Sequence, residues 1–465
     1  MGSRSRLNTR LLRSSSLYLA ALLFACGSSH SGAGSDEGPP DGGMVNTGDS
    51  GDPSTTTLGG TGASSGSPIP SATSRSGSTA PTNSSAASTA PTSSSSRGPV
   101  GDIDSGSGPI PSQGSDGGAD GATGEGGTGG VGPDGGTGAP TTGTGVCDIF
   151  ASASTPCVAA HSTVRALYSA YDGNLYQVTR ASDTTTKDIG VLAPGGFANG
   201  AAQDTFCAGT TCTITIIYDQ SSQGNHLTPG PAGQHGTGAD KPANATDLAT
   251  TASGHEVYGI RIRVGMGYRN DKATGTATGD EAETEYMVSS QNDLVDGCCY
   301  DYGNAETNNR ADGDGTMEAV YFGGGSGYAT GVGPGPWVEV DIENGLCAGV
   351  EANGAKDAKG IATNMSLPYN FATAVVVGRS GAAPGSFALY GGDATAGTLA
   401  TMYDGARPNG YAPMMKQGAI ILGIGGDNSN GSAGDFYEGV MTSGAATVAT
   451  LNAVQANIVA AGYGK

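Results

Sequence analysis

The stretch Trp337-Val-Glu-Val-Asp-Ile-Glu343 decides how this chain is read. A strand's two-residue period puts Trp337, Glu339, Asp341 and Glu343 on one face and Val338, Val340 and Ile342 on the other. The second face wants an apolar core. The first carries three carboxylates beside an indole, in a sequence only 14% charged. It reads either as an ordinary solvated strand face or as the floor of a carbohydrate cleft, where acids move protons and aromatic rings stack on sugars.

Working outward, residues 213–218, 317–322, 372–377, 386–390 and 419–424 repeat the pattern of short β-branched or alternating runs, separated by Gly, Asn, Asp and Pro turns. Helical periodicity is confined to 162–170 and 448–461. Closely spaced strands with long loops over residues 146–465 predict an all-β fold, a β-sandwich or jelly roll of the concanavalin or laminin-G kind with one concave, ligand-bearing sheet.

The N-terminal part has a different composition. Arg4, Arg6, Arg10 and Arg13 precede an apolar run at 17–24 that is too short to span a bilayer, as in an export signal. It ends in Leu23-Phe24-Ala25-Cys26-Gly27, which resembles a bacterial lipobox, so residues 1–25 are expected to be a lipoprotein signal peptide and Cys26 the acylated residue. Residues 26–145 are Gly, Ser, Thr, Pro, Ala and Asp without periodicity, a tract that cannot offset its ordering entropy by burial. It is expected to be a disordered tether spanning roughly 55–65 Å.

A net charge of -21, from 21 basic against 42 acidic residues, argues against a nucleic-acid partner, because counterion release needs clustered Lys and Arg. The expected partner is a neutral glycan, contacted with 18 Tyr and a single Trp. Nothing implies a cofactor or a metal, and the protein is expected to act as a monomer. Cys147 and Cys157 bracket a short loop, as do Cys207 and Cys212. None has a His partner at zinc spacing, so they read as oxidised staples of an exported protein. Cys347 is the expected odd thiol. Adjacent Cys298 and Cys299 would form a strained, rigid apolar plate if bridged, the alternative being that each pairs elsewhere or stays reduced.

A glycosidase that retains configuration needs two carboxyls roughly 5–5.5 Å apart, one ionised for attack and one protonated for the leaving oxygen. Asp341 and Glu343 on one strand face would approach from the same side, so the acid should come from elsewhere. Asp427, in Gly425-Gly-Asp-Asn-Ser-Asn-Gly431, follows an apolar strand, and its two glycines let the backbone approach a ligand. Burial or neighbouring carboxylates would have to favour its protonated form. Alone, that heptapeptide is equally a turn or a loose calcium loop, as is Asp312-Gly-Asp-Gly315. His161 and His226 have no Gly-x-Ser-x-Gly elbow near them and are expected to be structural.

Longer motifs resolve the choice. Thr155-Pro-Cys-Val-Ala-Ala-His-Ser-Thr163, Ile216-Ile-Tyr-Asp-Gln220, Gly267-Tyr-Arg-Asn270, Cys298-Cys-Tyr-Asp-Tyr-Gly-Asn-Ala-Glu-Thr307, Val340-Asp-Ile-Glu-Asn344 and Phe436-Tyr-Glu-Gly-Val-Met-Thr-Ser443 are together similar to the catalytic domain of α-L-arabinofuranosidase B, glycoside hydrolase family 54. The resemblance covers nearly everything from Cys147 onward. It implies a β-sandwich enzyme that releases terminal α-L-arabinofuranosyl groups from arabinoxylan or arabinan with retention of configuration.

Carried over by motif, it implies Glu343 as nucleophile and Asp427 as general acid/base. It implies Asp341, Asn344 and Gly426 as substrate contacts, and a disulfide between Cys298 and Cys299 packed against the sugar. Tyr328 stands where the family has a Trp after the Met317-Glu-Ala319 strand, which alters the stacking. The C-terminal arabinose-binding β-trefoil of fungal relatives is not found before Lys465, so weaker retention on polymer is expected. The rival reading is a non-catalytic lectin-like module, since Ile217-Tyr-Asp-Gln-Ser-Ser-Gln-Gly-Asn-His226 also resembles laminin-G-like segments; it does not call for an acid and a nucleophile on different elements.

Overall fold

The computed structural model describes residues 143–235, 238–324, 328–381 and 385–465. The expected signal peptide, Cys26 and the expected tether up to residue 142 lie outside the described residues. Among those described, no helix is long and apolar enough to cross a membrane.

Two seven-stranded sheets form a β-sandwich. The first runs Cys157–Ser162, Gly434–Ser443, Glu283–Ser289, Ala372–Gly378, Phe387–Asp393, Ala400–Gly405, with Ile260–Ile262 also paired to Gly434–Ser443. The second runs Leu346–Cys347, Trp337–Asp341, Glu318–Gly323, Asp301–Ala305, Ala419–Leu422, Tyr268–Asn270, Thr228–Pro229, and is antiparallel throughout. The short helices Val146–Ser152 and Gly200–Cys207 and the longer Val448–Ala460 are the helices among the described residues.

Alternation works as expected on the inner face. Val338 and Val340 join Tyr302, Val320, Phe322 and Leu422 in one cluster with Tyr286, Val288, Val376, Leu389 and Val440 of the opposite sheet. Each such fully buried Val is worth about 1.5–3 kcal/mol over an exposed one. The sandwich also encloses charge: Lys416 Nζ lies 2.8 Å from both Glu283 and Glu318, and Arg407 is 2.8 Å from Glu318. Charges buried this deeply persist only when paired in this way.

The outer face of the second sheet departs from expectation. All five residues of Trp337–Asp341 are buried, and while Asp341 still borders a cleft, Trp337 and Glu339, expected to face water or ligand, face neither. Loops cover this face. Trp337 donates its indole N–H to Val332 O at 3.1 Å and is not a sugar platform. The strand also stops at Asp341, because Glu343 and Asn344 turn into the left-handed region with φ of 65° and 57°. Glu343 is therefore presented by a turn and not by strand alternation.

The helix expected over 162–170 is absent. Ser162 ends a strand, its Oγ accepts from the N–H groups of Val164 and Arg165 at 3.1 Å each, and Leu167 N donates to Gln220 Oε1. A local side chain, Ser162, and a distant one, Gln220, thus take N–H groups that a helix would have bonded along its own backbone. The helix expected over 448–461 forms, capped by Thr447, whose side chain accepts from Thr450 N.

Candidate active site

On the outer face of the second sheet a small apolar patch of Ala305, Met317, Ala319, Ala419, Ile421 and Ile424 underlies a narrow cleft. Three segments build its rim. The turn after Trp337–Asp341 brings Asp341, Glu343 and Asn344; the loop after Ala419–Leu422 brings Gly425, Gly426 and Asp427; and the chain before Asp301–Ala305 brings Gly297, Cys298 and Cys299. Tyr328 and Met317 complete the wall. Every catalytic and substrate-contacting residue expected from sequence therefore lines this one cleft.

The turn is held from within. Asp341 Oδ1 accepts from Glu343 N at 3.0 Å, Tyr411 Oη donates to Glu343 O at 2.9 Å, and Asn344 Nδ2 donates to Asp314 Oδ1 at 2.8 Å. Asp314, read from sequence as a turn residue only, thus fixes a residue of the cleft. Cys298 and Cys299 are bridged, and Cys299 Sγ lies 3.4 Å from Asp341 Oδ2. Bridges also join Cys147 to Cys157 and Cys207 to Cys212, while Cys347 is a buried thiol.

The Asp427 loop is pinned by Asp240, which accepts from Asn428 Nδ2 at 3.0 Å and from Asn430 Nδ2 at 2.7 Å. Asn428 takes the left-handed conformation, φ 69°. Asp427 Oδ1 accepts from Ser429 N at 2.9 Å and from the Ser429 hydroxyl. His235 embraces the same residue, its N–H donating to Asp427 O at 3.0 Å and its Nε2 lying 3.4 Å from Oδ2. His161 and His226 are structural: His161 bridges Tyr302 Oη and Asn225 O, and His226 Nδ1 accepts from Asp219 N.

Sequence reasoning missed two acids. Glu306, immediately after Asp301–Ala305, accepts from the Thr316 hydroxyl and packs its Oε2 on Gly426, and Asp301 lies near enough to Asp341 for their charges to oppose each other. Both are fully buried. Both lie inside the quoted Cys298–Thr307 motif, and their signal was the presence of acids in a run otherwise made for a sheet interior. Arg269 ties the two sides together, donating to Gly426 O at 2.7 Å and to Glu306 O.

So many acids cannot all ionise in one dry place. Burial, then the charges of Glu306 and Asp341, push the Glu343 carboxyl up to about 10. Burial foremost, with Glu306 and Asp427 adding to it, carries Asp341 to about 7 against the pull of the Glu343 N–H. Burial also holds Asp301 well above the usual carboxylate range. These neighbours oppose one another's ionisation, so the cleft favours carboxyls in mixed protonation states.

Comparison with known proteins agrees with this chemistry. Residues 146–464 match the family model for the catalytic domain of α-L-arabinofuranosidase B. A probable α-L-arabinofuranosidase B of Aspergillus terreus is 54% identical over 325 residues, covering 69% of this chain and 62% of the relative. An α-L-arabinofuranosidase of Hypocrea jecorina is 54% identical over 326 residues, covering 69% and 63%. The crystal structure of an arabinofuranosidase complexed with arabinofuranosyl-α-1,2-xylobiose superposes with a TM-score of 0.65 at 51% identity, covering 69% of this chain and 66% of that one. The chain thus spans about 62% of the length of a curated relative such as the first. With the family model matched from the first helix to the penultimate residue, the chain belongs to the α-L-arabinofuranosidase B catalytic-domain family.

Proposed function

We propose that the protein is a retaining, exo-acting α-L-arabinofuranosidase that removes terminal arabinofuranosyl groups from arabinoxylan, arabinan or their oligosaccharides. The observation that carries the reading is the pair Glu343 and Asp427, brought to one cleft from a turn and a loop that share no strand. A solved relative complexed with arabinofuranosyl-α-1,2-xylobiose supports the substrate class.

In the first step the Glu343 carboxylate attacks the anomeric carbon while the bond to the leaving oxygen breaks and Asp427 gives that oxygen a proton. In the second, water attacks the same carbon, Asp427 takes the water's proton and the Glu343 carboxylate departs. Two inversions leave the configuration retained. Asp341 and Asn344, flanking Glu343, and the backbone at Gly426 contact the sugar. The Cys298–Cys299 disulfide offers it an apolar plate and Tyr328 a ring edge or face.

In this reading the protein is exported, acylated at Cys26 and held off the membrane by residues 26–145, with the catalytic domain acting as a monomer. The three disulfides suit an oxidising compartment. Incubating the full chain with a chromogenic arabinofuranoside tests the activity: release of arabinose with retained anomeric configuration is expected. Saturable sugar binding without turnover would instead identify a lectin-like module.

A further inference from the structure

The two oxygens of Asp427 are held differently. Oδ1 accepts from the Ser429 N–H at 2.9 Å and also from the Ser429 hydroxyl, while Oδ2 faces the partly exposed imidazole of His235, whose Nε2 lies 3.4 Å away. The N–H bond by itself closes the turn, as Asp side chains do with the backbone two residues on. The loop has further braces of its own: Gly425 N donates to Ser429 O at 2.9 Å, Asn428 N donates to Gly425 O at 3.0 Å, and Asp240 accepts from the Asn428 and Asn430 amides. The hydroxyl bond is thus an addition to the turn, spent on the carboxyl.

The same pair of bonds occurs elsewhere in the chain. Thr185 bonds Asp183 Oδ1, and Thr395 bonds Asp393 Oδ1, each through its N–H and its hydroxyl. Neither of those carboxyls lines the cleft that holds Glu343, whereas Asp427 does and is buried there.

We infer that Ser429 is a positioning residue for the general acid: by filling Oδ1 with two donors it leaves Oδ2 as the oxygen that carries the proton and delivers it to the leaving group. The inference rests on the reading of Asp427 as general acid/base. A carboxylic acid has one O–H and keeps acceptor capacity on its other oxygen, so the oxygen that already accepts two hydrogen bonds is the carbonyl one. Both bonds suit the ionised carboxylate equally. Asp427 therefore need not turn between the step in which it gives a proton and the step in which it takes one. His235 fits both states, since an imidazole nitrogen accepts from a protonated Oδ2 in one tautomer and donates to an ionised Oδ2 in the other. Without the hydroxyl, Oδ1 keeps one donor, and the proton can reside on either oxygen.

The test compares kcat/KM on two substrates for the full chain and its Ser429→Ala, Ser429→Thr and Asp427→Ala variants. One is an aryl arabinofuranoside whose leaving group needs no protonation; the other is an arabinofuranosyl xylo-oligosaccharide, whose leaving oxygen does. In a retaining enzyme kcat/KM reports formation of the glycosyl-enzyme, the step that uses the acid. Both values come from one preparation, so their ratio is independent of the fraction folded. Ser429→Ala should lose about tenfold on the oligosaccharide, part of the 10²–10⁴ that acid-base catalysis typically supplies, and less than about twofold on the aryl substrate. Ser429→Thr keeps the hydroxyl, which Thr185 and Thr395 use in the same way, and should return the ratio to within about twofold of the parent's.

A Ser429 that served the fold alone would lower both substrates alike. Equal losses in Ser429→Ala, or a Ser429→Thr ratio as low as that of Ser429→Ala, overturn the inference. If Ser429→Ala yields no folded protein, Ser429→Gly, which also lacks the hydroxyl, is read in its place. Asp427→Ala separates the two levels: equal losses on both substrates in that variant refute the reading of Asp427 as the acid, whereas a selective loss there beside equal losses in Ser429→Ala refutes only the role of Ser429.

Discussion

Asp341 Oδ1 accepts a hydrogen bond from the backbone N–H of Glu343 at 3.0 Å. The last carboxylate of the strand thereby holds the turn that presents the next one, and it stabilises two successive left-handed residues, Glu343 and Asn344. Such conformations cost of order 1 kcal/mol or more and persist only where their surroundings enforce them.

This relation separates two substitutions at one position. Asp341→Asn keeps an oxygen that can accept from Glu343 N, so its main loss should be in sugar binding, read as a raised KM. Asp341→Ala removes the brace as well, and kcat should fall by a further tenfold or more, corresponding to about 1.4 kcal/mol. Equal kcat values for the two variants would show that the brace is irrelevant to turnover.

The two opposed carboxyls should fail in different ways. Glu343→Gln should eliminate turnover on every substrate, since no glycosyl-enzyme can form. Asp427→Ala should still complete the first step on an activated aryl glycoside, then stall because the attacking water has lost its base. Azide should rescue that variant and give a product of retained configuration. Rescue of Glu343→Gln with an inverted product, or losses below about tenfold where acid-base catalysis typically supplies 10²–10⁴, would exchange or annul these roles.

Gly426 is required for its lack of a side chain. An added Cβ would lie 1.8 Å from Glu306 Oε2 and 3.2 Å from Met317 Sδ. Gly426→Ala should therefore displace the Glu306 carboxyl beside the cleft, with a stability cost of about 1–3 kcal/mol from overpacking and a larger proportional fall in kcat. Thermal melting and steady-state kinetics on the same preparation read both effects. Unchanged kcat would mean that the Glu306 carboxyl yields without consequence for the cleft.

How much of this could be read from the chain depends on the range of the interaction. Val338 and Val340 point into the core because strand geometry alone dictates it, and the sandwich followed from several such runs. The opposite face was misjudged because what lies over Trp337 and Glu339 comes from loops elsewhere in the chain. The 162–170 segment failed for a similar reason: Gln220, more than fifty residues on, takes a backbone bond that a local reading assigns to a helix. The residues that line the cleft came through resemblance. Glu306 did not, since its place beside the cleft lies in a close approach to Gly426 that no spacing reveals.

Glu339 provides a prediction free of the catalytic groups. It is fully buried, neither carboxyl oxygen has a partner, and burial holds it well above its ordinary 4.5. The native state then keeps a proton that the unfolded chain releases. Stability from such a group is fully present below about pH 4.5 and is lost as pH rises toward the folded value, at roughly 1.4 kcal/mol per pH unit. Glu283, which burial carries to about 7, contributes in the same sense between 4.5 and 7. The protein should thus lose stability from pH 5 to pH 8, and Glu339→Gln, with nothing to titrate, should show a shallower decline. Chemical denaturation at a series of pH values measures both slopes. Parallel curves for the two proteins would mean that Glu339 ionises in the native state at no cost, against its burial.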